Sequence, residues 1–461
     1  MKSSTNYFLY DNFADSIEKI YLSLALNVLA KLTTRFWDNP LKNYNSPNKS
    51  IKNSKKFVIN PETEKPKPNH HGYVKIGVLK EIDFYPFKGC QTVSLKSAVL
   101  TPLGLKTTDG KFMDRSFAVY RPDTNSTVSP KFVPRLSLIS VELLEKHGQL
   151  KLSVNLNHKR AEQEINFATD SVSEKEKLLN DLKNYPDLIL TPKFDHLYRD
   201  INILKKTGSA FDCGEEASLW VTTFLHRFNT FKSKKDIKKE ARNNMPIEYR
   251  IVHFDHSSNN DDSRLCERDT EPEISKRLEK IGQVLPENQN ISYKTGLADT
   301  GAYTLVTDQS IQHVRDQVAL ESGKELHPKA FRINLIIDSD EKKPFTEDQW
   351  DQVIIGNFSS SKKSKNPAVL KYYYKCQRCF FTTVEPRLGQ HRPDNQPLTW
   401  LNEHRKIPED EVKAYGGGVK NHFGGIYGMV MDENQNQIVS VGDDVWVKFR
   451  EKENENTKIE N

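Results

Sequence analysis

The shortness of its apolar segments limits this chain more than any other feature. From Gly72 to about Leu156 it runs "GYVKIGVLKEIDFYPF", "FAVYRPD", "RLSLISVELL" and "GQLKLSVNL", each alternating or aromatic-rich and each cut off by turn-forming residues. Short strands with one apolar face must curl against one another to hide it, so this stretch is expected to form a mainly β domain. Helices enter later. "DCGEEASLWVTTFLHRF" (Asp212–Phe228) puts Ala217, Leu219, Trp220, Phe224 and Leu225 on one side, and Asp170–Asn184 is charged but helix-compatible. "TGAYTLVTDQSIQHVRDQ" predicts a strand running into a helix. "FRINLIID" reads as an apolar strand started by Arg332, and "GGIYGMVM" and "NQIVSVGDDVWVKF" as further strands and turns. The sum is an α+β chain with barrel-like β cores, charged insertions and no internal repeats.

The first seventy-one residues differ in texture. "SIEKIYLSLALNVLAKLTTRFW" (Ser16–Trp37) lines Ser23, Asn27, Lys31 and Thr34 along one helical face, with Leu22, Ala25, Leu26 and Leu29 opposite. Its apolar centre of about a dozen residues falls short of the roughly 20 that span a bilayer. Two readings remain: a helix packed on its own domain, or an interfacial helix on a membrane with Arg35, Phe36 and Trp37 at its rim. Nothing at the N-terminus reads as a secretory signal, and Asp11, Asp15 and Glu18 argue against a matrix transit peptide. A linker rich in Asn, Lys, Pro and Ser follows. The expected division is therefore 1–71 helix and linker, 72–253 β-rich domain, 270–449 second domain and 450–461 charged tail. Residues 229–247 and 255–275 are read as solvated excursions.

Charge excludes little. The 461 residues carry 68 basic and 62 acidic side chains, and a net +6 spread so thinly gives no reason to expect a nucleic-acid partner. The five cysteines, Cys90, Cys213, Cys266, Cys376 and Cys379, are too few and too uneven for a disulfide framework, which implies a reducing compartment. Cys376 and Cys379 stand three apart in "YKCQRCFFTTVEPRLGQ". A redox dithiol belongs at a helix N-terminus, whereas "FFTTV" has the residues of a strand. A zinc site needs two more ligands, and His391 and His404 form no paired motif with the cysteines. A single thiolate offered to a softer metal is the third reading, with the Arg378 cation beside Cys379 favouring the charged form.

"CQRCFFTTVEPRLGQ", "PLTWLNEHR" and "FGGIYGMV…VSVGDDVWV" resemble the MOSC domain of molybdenum-cofactor proteins, and in particular the mitochondrial amidoxime-reducing components. "YPFKGCQTVSLKSAVLTPLGL", "MDRSFAVY", "PRLSLISV", "DCGEEASLWVTTFL" and "FRINLIID…PFTEDQWDQVIIG" match in order, so the resemblance runs from about Gly72 to Val447. It implies a MOSC N-terminal β-barrel-like domain followed by a MOSC β-barrel domain. It also implies a molybdenum pyranopterin (Mo-molybdopterin) with Cys379 as the protein ligand to the metal, and hence the catalytic cysteine. By the same resemblance Lys88, Arg115, Arg332, Asn334 and Arg378 contact the cofactor, with Thr307 and Ser310 aligned to family hydroxyls. The chain departs from the pattern at Gly89 and Gln377, where serine is usual, and at Ile333, where proline is usual.

The residue types suit that role. The cofactor ends in a phosphate, which planar guanidinium groups bind bidentately, and Asn334 could offer both donor and acceptor to a pterin edge. Each basic residue could equally be a surface charge, and Lys88 is read first in that way. Asp348 and Trp350 are read as a helix-terminal acid and a core residue. The family implies reduction of a small N-hydroxylated substrate, with electrons from a cytochrome b5-type protein and its NADH-dependent reductase. It also implies a mitochondrial location, on the outer membrane facing the cytosol, with the cytoplasm as alternative. "YGGGVKNHFGG" lacks the spacing of a dinucleotide fingerprint, so the chain is not expected to bind that donor itself. The rival reading is a non-redox cofactor or sulfur-carrier module like the C-terminal part of the cofactor sulfurases. Their pyridoxal-phosphate domain has no room in this chain.

Overall fold

The computed structural model describes residues 72–157, 172–203, 206–228, 247–255, 301–356, 369–408, 421–429 and 436–450, with a few isolated positions between them. All lie within the unit Lys65–Asn461. The expected helix at 16–37, its linker, most of the two charged excursions and nearly all of the tail lie outside the described residues. Among the described residues no helix is long and apolar enough to cross a membrane.

The elements that frame the site, in chain order, begin with β1 (Val74–Phe84), β2 (Phe117–Arg121), β3 (Ser126–Thr127), α1 (Val172–Lys183), β4 (Leu197–Ile203), β5 (Lys206–Asp212) and α2 (Glu215–Phe228). They continue with β6 (Arg250–His253), β7 (Tyr303–Thr307), α3 (Asp308–Ser322), β8 (Leu335–Ser339), β9 (Trp350–Ile355), β10 (Val369–Lys375), α4 (Leu398–His404), β11 (Gly425–Met429) and β12 (Asp444–Phe449). Strands pair in the order β8-β7-β11-β10-β9-β12-β1, and β1 pairs back onto β8 to close the ring. β7 and β8 are the parallel pair, as a strand–helix–strand crossover through α3 requires. A second, smaller barrel closes β4-β5-β6-β2-β3. The chain is thus α+β with two β-barrel cores.

β1 opens the N-terminal stretch yet belongs by pairing to the larger ring. Its closing seam depends on Gly77: a Cβ there would sit 2.0 Å from the Asp338 carbonyl oxygen, and φ is +149°. Only glycine lets the two backbones approach this closely. Inside the ring Leu79, Ile82 and Phe84 of β1 share one core with Leu305, Leu335, Val353, Leu370 and Val447. Truncating a fully buried Ile82 to Ala would cost about 2–5 kcal/mol. α2 places Ala217, Trp220, Val221, Phe224 and Leu225 in the same core, as its sequence periodicity predicts, although Leu219 is exposed.

Three local expectations need correction. "FFTTV" is not a strand: Phe380–Thr383 form a 3-10 turn, and only Val384–Glu385 pair, with Gln390–His391. The Thr382 and Thr383 hydroxyls donate back to the carbonyls of Cys379 (2.9 Å) and Phe380 (2.8 Å), a local bond that outcompetes β propensity. Arg332 does not start a strand either. Pro328 opens a 3-10 turn, Arg332 terminates it in left-handed backbone at φ 53°, and the strand begins at Leu335. "RLSLISVELL" begins with the 3-10 turn Pro134–Leu138 before its strand at Ile139.

Candidate functional site

Tyr85, just past the end of β1, is the hub of the site. Its ring lies 4.2 Å from the Arg332 guanidinium carbon and 5.3 Å from that of Arg115. Both arginines hold left-handed backbone, Arg115 at φ 52° and Arg332 at φ 53°, a conformation that non-glycine residues keep only when their surroundings impose it. At Arg115 the backbone N–H donates to the Tyr85 carbonyl (2.7 Å) and the carbonyl accepts from Leu297 (3.1 Å). Its guanidinium pairs with buried Asp114 and donates to Asn334 Oδ1 at 3.1 Å.

Arg332 has no such acid. It is half-buried, donates to the Cys90 carbonyl at 2.5 Å, and forms no ion pair with a described residue. Burial and the neighbouring Arg115 charge push its pKa down, so an added anion would relieve it. The Tyr85 hydroxyl is buried, with the Thr92 hydroxyl as its polar neighbour. A cavity of about 340 Å³ opens here, walled by Tyr85, Cys90, Lys329, Arg332, Phe381 and Arg387 among others. No carboxylate lies among the described residues that line it. It is of a size that takes a small molecule, and its charge selects an anion.

Cys379 caps the turn that forms one wall. Its side chain is exposed, whereas Cys376 is buried and its thiol pKa pushed up by that burial. The turn Phe380–Thr383 packs against the turn Pro328–Phe331, and the Phe381 ring lies 5.3 Å from the Arg332 guanidinium carbon. Arg378 ties the two turns together. It is buried, and its guanidinium donates to the Phe331 carbonyl (2.7 Å) and to the Phe423 carbonyl (2.6 and 3.0 Å). Arg378 therefore braces the loop carrying Cys379 against the residue before Arg332. His391 and His404 are engaged elsewhere, with Thr383 and the Lys131 carbonyl and with the Trp400 carbonyl.

Lys88 is not the surface charge first expected: it is buried, and its ammonium donates to Thr127 Oγ1 at 3.3 Å; it stands two residues before Cys90, whose carbonyl receives Arg332. The departure at Gly89 also finds a cause. With φ +90° and a would-be Cβ 2.5 Å from the Pro130 ring, the position cannot carry the family's serine unless Pro130 moves. Asn334 is fully buried. Its Oδ1 accepts from Arg115 and from Thr304 Oγ1 (3.0 Å), and its Nδ2 donates to the Asp83 carbonyl (3.2 Å).

Thr307 and Ser310 lie at the far end of β7 and are engaged there. Thr307 caps α3 by accepting from the Ser310 N–H (3.2 Å), and both hydroxyls donate to Glu347 Oε2, at 2.9 and 3.0 Å. Burial, with Asp348 beside it, pushes the Glu347 carboxyl up to about 7. Asp348 pairs with Arg405 and His422, and Trp350 is a core residue as read from the sequence. Sequence reasoning missed Tyr85, Asp83, Lys329 and Glu347. An acid inside the otherwise apolar run "EIDFYPF" was the available signal for Asp83.

Residues 76–227 match the MOSC N-terminal beta barrel domain and residues 292–446 match the MOSC domain, together about two thirds of the chain. The chain belongs to the MOSC-domain proteins, a family related to the molybdenum cofactor. Among curated proteins it is similar to human mitochondrial amidoxime-reducing component 1, with 25% identity over 375 residues covering 81% of this chain and 83% of the human protein. The zebrafish (Danio rerio) component 1 is 26% identical over 72% of this chain and 75% of its own length. Human mitochondrial amidoxime reducing component 2 is 24% identical over 74% and 76%.

Proposed function

We propose that this chain is a molybdenum-cofactor-dependent oxidoreductase that reduces N-hydroxylated compounds, as the names of its relatives suggest. The observation that carries the reading is Arg332, a half-buried guanidinium without a described acidic partner, on a cavity that no described carboxylate lines, beside the turn of an exposed cysteine. The residues fit the cofactor. Arg332 and Arg115 would bind its terminal phosphate, Lys88 would add charge, and Cys379 would ligate the metal as thiolate. Arg378 would hold the Cys379 loop in place from below, because its donors already point to main-chain carbonyls. When bound, the cofactor supplies the two-electron chemistry that cleaves an N–O bond with release of water. The chain's contribution is to anchor, orient and expose it. Electrons are proposed to come from a cytochrome b5-type protein and its NADH-dependent reductase, at a mitochondrial outer membrane facing the cytosol.

The test is direct. Full-length chain made in a host that synthesises the cofactor should carry molybdenum by elemental analysis. With cytochrome b5 and its reductase added, it should oxidise NADH in step with amidine formed from an amidoxime. Molybdenum without reduction of any N-hydroxylated compound would return the chain to the rival reading, a cofactor or sulfur carrier. Absence of molybdenum would sink both.

A further inference from the structure

Asp83 sits at the end of β1 with no exposed surface, and two separate parts of the candidate site meet on it. Its two carboxylate oxygens receive the Lys329 ammonium at 2.8 and 2.7 Å, and Ser94 Oγ donates to one of them at 3.3 Å. Lys329 also reaches Glu81. Asp83's backbone N–H donates to the Asn334 carbonyl (2.8 Å) and its carbonyl accepts from Asn334 Nδ2 (3.2 Å). The contacts with Lys329 and Asn334 each lead to an arginine. Lys329 belongs to the turn Pro328–Phe331, and its carbonyl accepts from the Arg332 N–H at 3.2 Å. Asn334 holds the Arg115 guanidinium through Oδ1.

We propose that Asp83 is a positioning residue: its carboxylate fixes Arg332 through Lys329, while its main chain holds Asn334, and with it Arg115, in the arrangement that receives the anionic end of the cofactor. The inference rests on the reading of those arginines as an anion site. Left-handed backbone at a non-glycine residue persists only under external constraint, and the Lys329–Asp83 pair supplies that constraint next to Arg332. The placement of the charge matters as much. A carboxylate is needed to anchor the turn, but one in contact with Arg332 would occupy the guanidinium that must stay open. By engaging Lys329 instead, Asp83 clamps the turn and leaves Arg332 without an acid. The side chain is fully buried, a costly location for a charge that forms no part of a binding surface, and its pairing with Lys329 offsets part of that cost.

Two measurements on the full-length chain test this: titration of the cofactor-free protein with inorganic phosphate by calorimetry, and molybdenum per polypeptide after expression in a cofactor-synthesising host. Asp83→Asn keeps the size and main-chain contacts of the residue while breaking the ion pair. It should weaken phosphate binding by about three- to tenfold and lower molybdenum content, with cooperative unfolding retained. The decisive readout is non-additivity. If Asp83 acts through Arg332, then Asp83→Asn combined with Arg332→Lys should bind phosphate no more weakly than Arg332→Lys alone. Fully additive losses would mark a general structural role and overturn the proposal, as would equal phosphate affinity in the wild type and Asp83→Asn. Should Asp83→Asn fail to fold, Lys329→Met breaks the same pair; because Lys329 also lines the cavity, its coupling with Arg332→Lys is the readout, non-additive losses supporting the proposal and additive ones overturning it. A wild-type chain that binds no phosphate and carries no molybdenum would instead remove the cofactor reading beneath it.

Discussion

The two ends of strand β7 treat their polar groups in opposite ways. Near its start, Asn334 and Thr304 lead to Arg115 and Arg332, and Arg332 faces a cavity with no described acid against it. At its end, Thr307 and Ser310 turn inward, cap α3 and spend their hydroxyls on buried Glu347. Hydrogen-bonding groups already satisfied within the protein gain little from a ligand, whereas an unpaired, partly desolvated cation gains a great deal. The resemblance aligns residues at both ends with cofactor contacts. The structure gives only the first end an open charge.

The largest expected effect lies on the cysteine wall of the open end. Cys379→Ala should abolish molybdenum-dependent reduction, while Cys376→Ala, at a buried position, should retain the metal. Metal content and turnover measured on both variants decide it, and equal loss in the two would favour a paired-thiol site. Next comes the cation. Arg332→Ala should lower molybdenum occupancy under limiting cofactor by about tenfold to a hundredfold in affinity, the cost of a charged bidentate contact. Unchanged occupancy, with the fold intact by circular dichroism, would erase the contrast between the two ends.

What could be read from sequence depended on whether a residue's role was periodic or conformational. The apolar side of α2, the β7-to-α3 transition and the buried Trp350 follow from spacing and size, and they appear where spacing puts them. The alignment of Cys379, Arg115 and Arg332 came from motif order; Arg332 lines the cavity, Arg115 lies against the ring of Tyr85, and Cys379 precedes the turn whose Phe381 lines it. Their geometry was not legible. Nothing in "MDRS" or "KAFRIN" announces left-handed arginines, because that conformation depends on partners distant in sequence, such as Tyr85 and Leu297 on the main chain of Arg115. "FFTT" misled for a related reason: two threonine hydroxyls bond locally and override the strand preference of the same residues. Arg378 looked like a charge that would assist its neighbour's thiol, whereas its guanidinium is committed to carbonyls brought in from Phe331 and Phe423.

The closed end should be visible in the pH dependence of stability. Glu347 has a folded-state value of about 7, raised from an ordinary 4.5 by burial first and Asp348 second. The folded protein therefore holds this proton more tightly than the unfolded chain. Its stabilising contribution is fully present below pH 4.5 and is lost as pH rises through about 7. Unfolding free energies of the wild type from urea titrations should fall across that window by on the order of 3 kcal/mol more than those of Glu347→Gln, which cannot ionise. Parallel pH profiles for the two proteins would show that Glu347 is already ionised in the folded state.

The smallest effect gives the sharpest comparison. Thr307→Ala removes the acceptor that caps α3 and one of the two hydroxyls that satisfy Glu347. Loss of a threonine cap costs about 1 kcal/mol, with Ser310 Oγ still donating to the carboxylate and limiting the damage. A change of that size lowers the melting temperature by roughly 1–2 °C in a unit this large. Thr307→Ser, which keeps the hydroxyl, should recover most of the loss. Molybdenum occupancy should not move in either variant, because the hydroxyl faces Glu347. A tenfold fall in occupancy for Thr307→Ala with stability near wild type would mean that this hydroxyl reaches the cofactor after all, and the two ends of β7 would then serve one site.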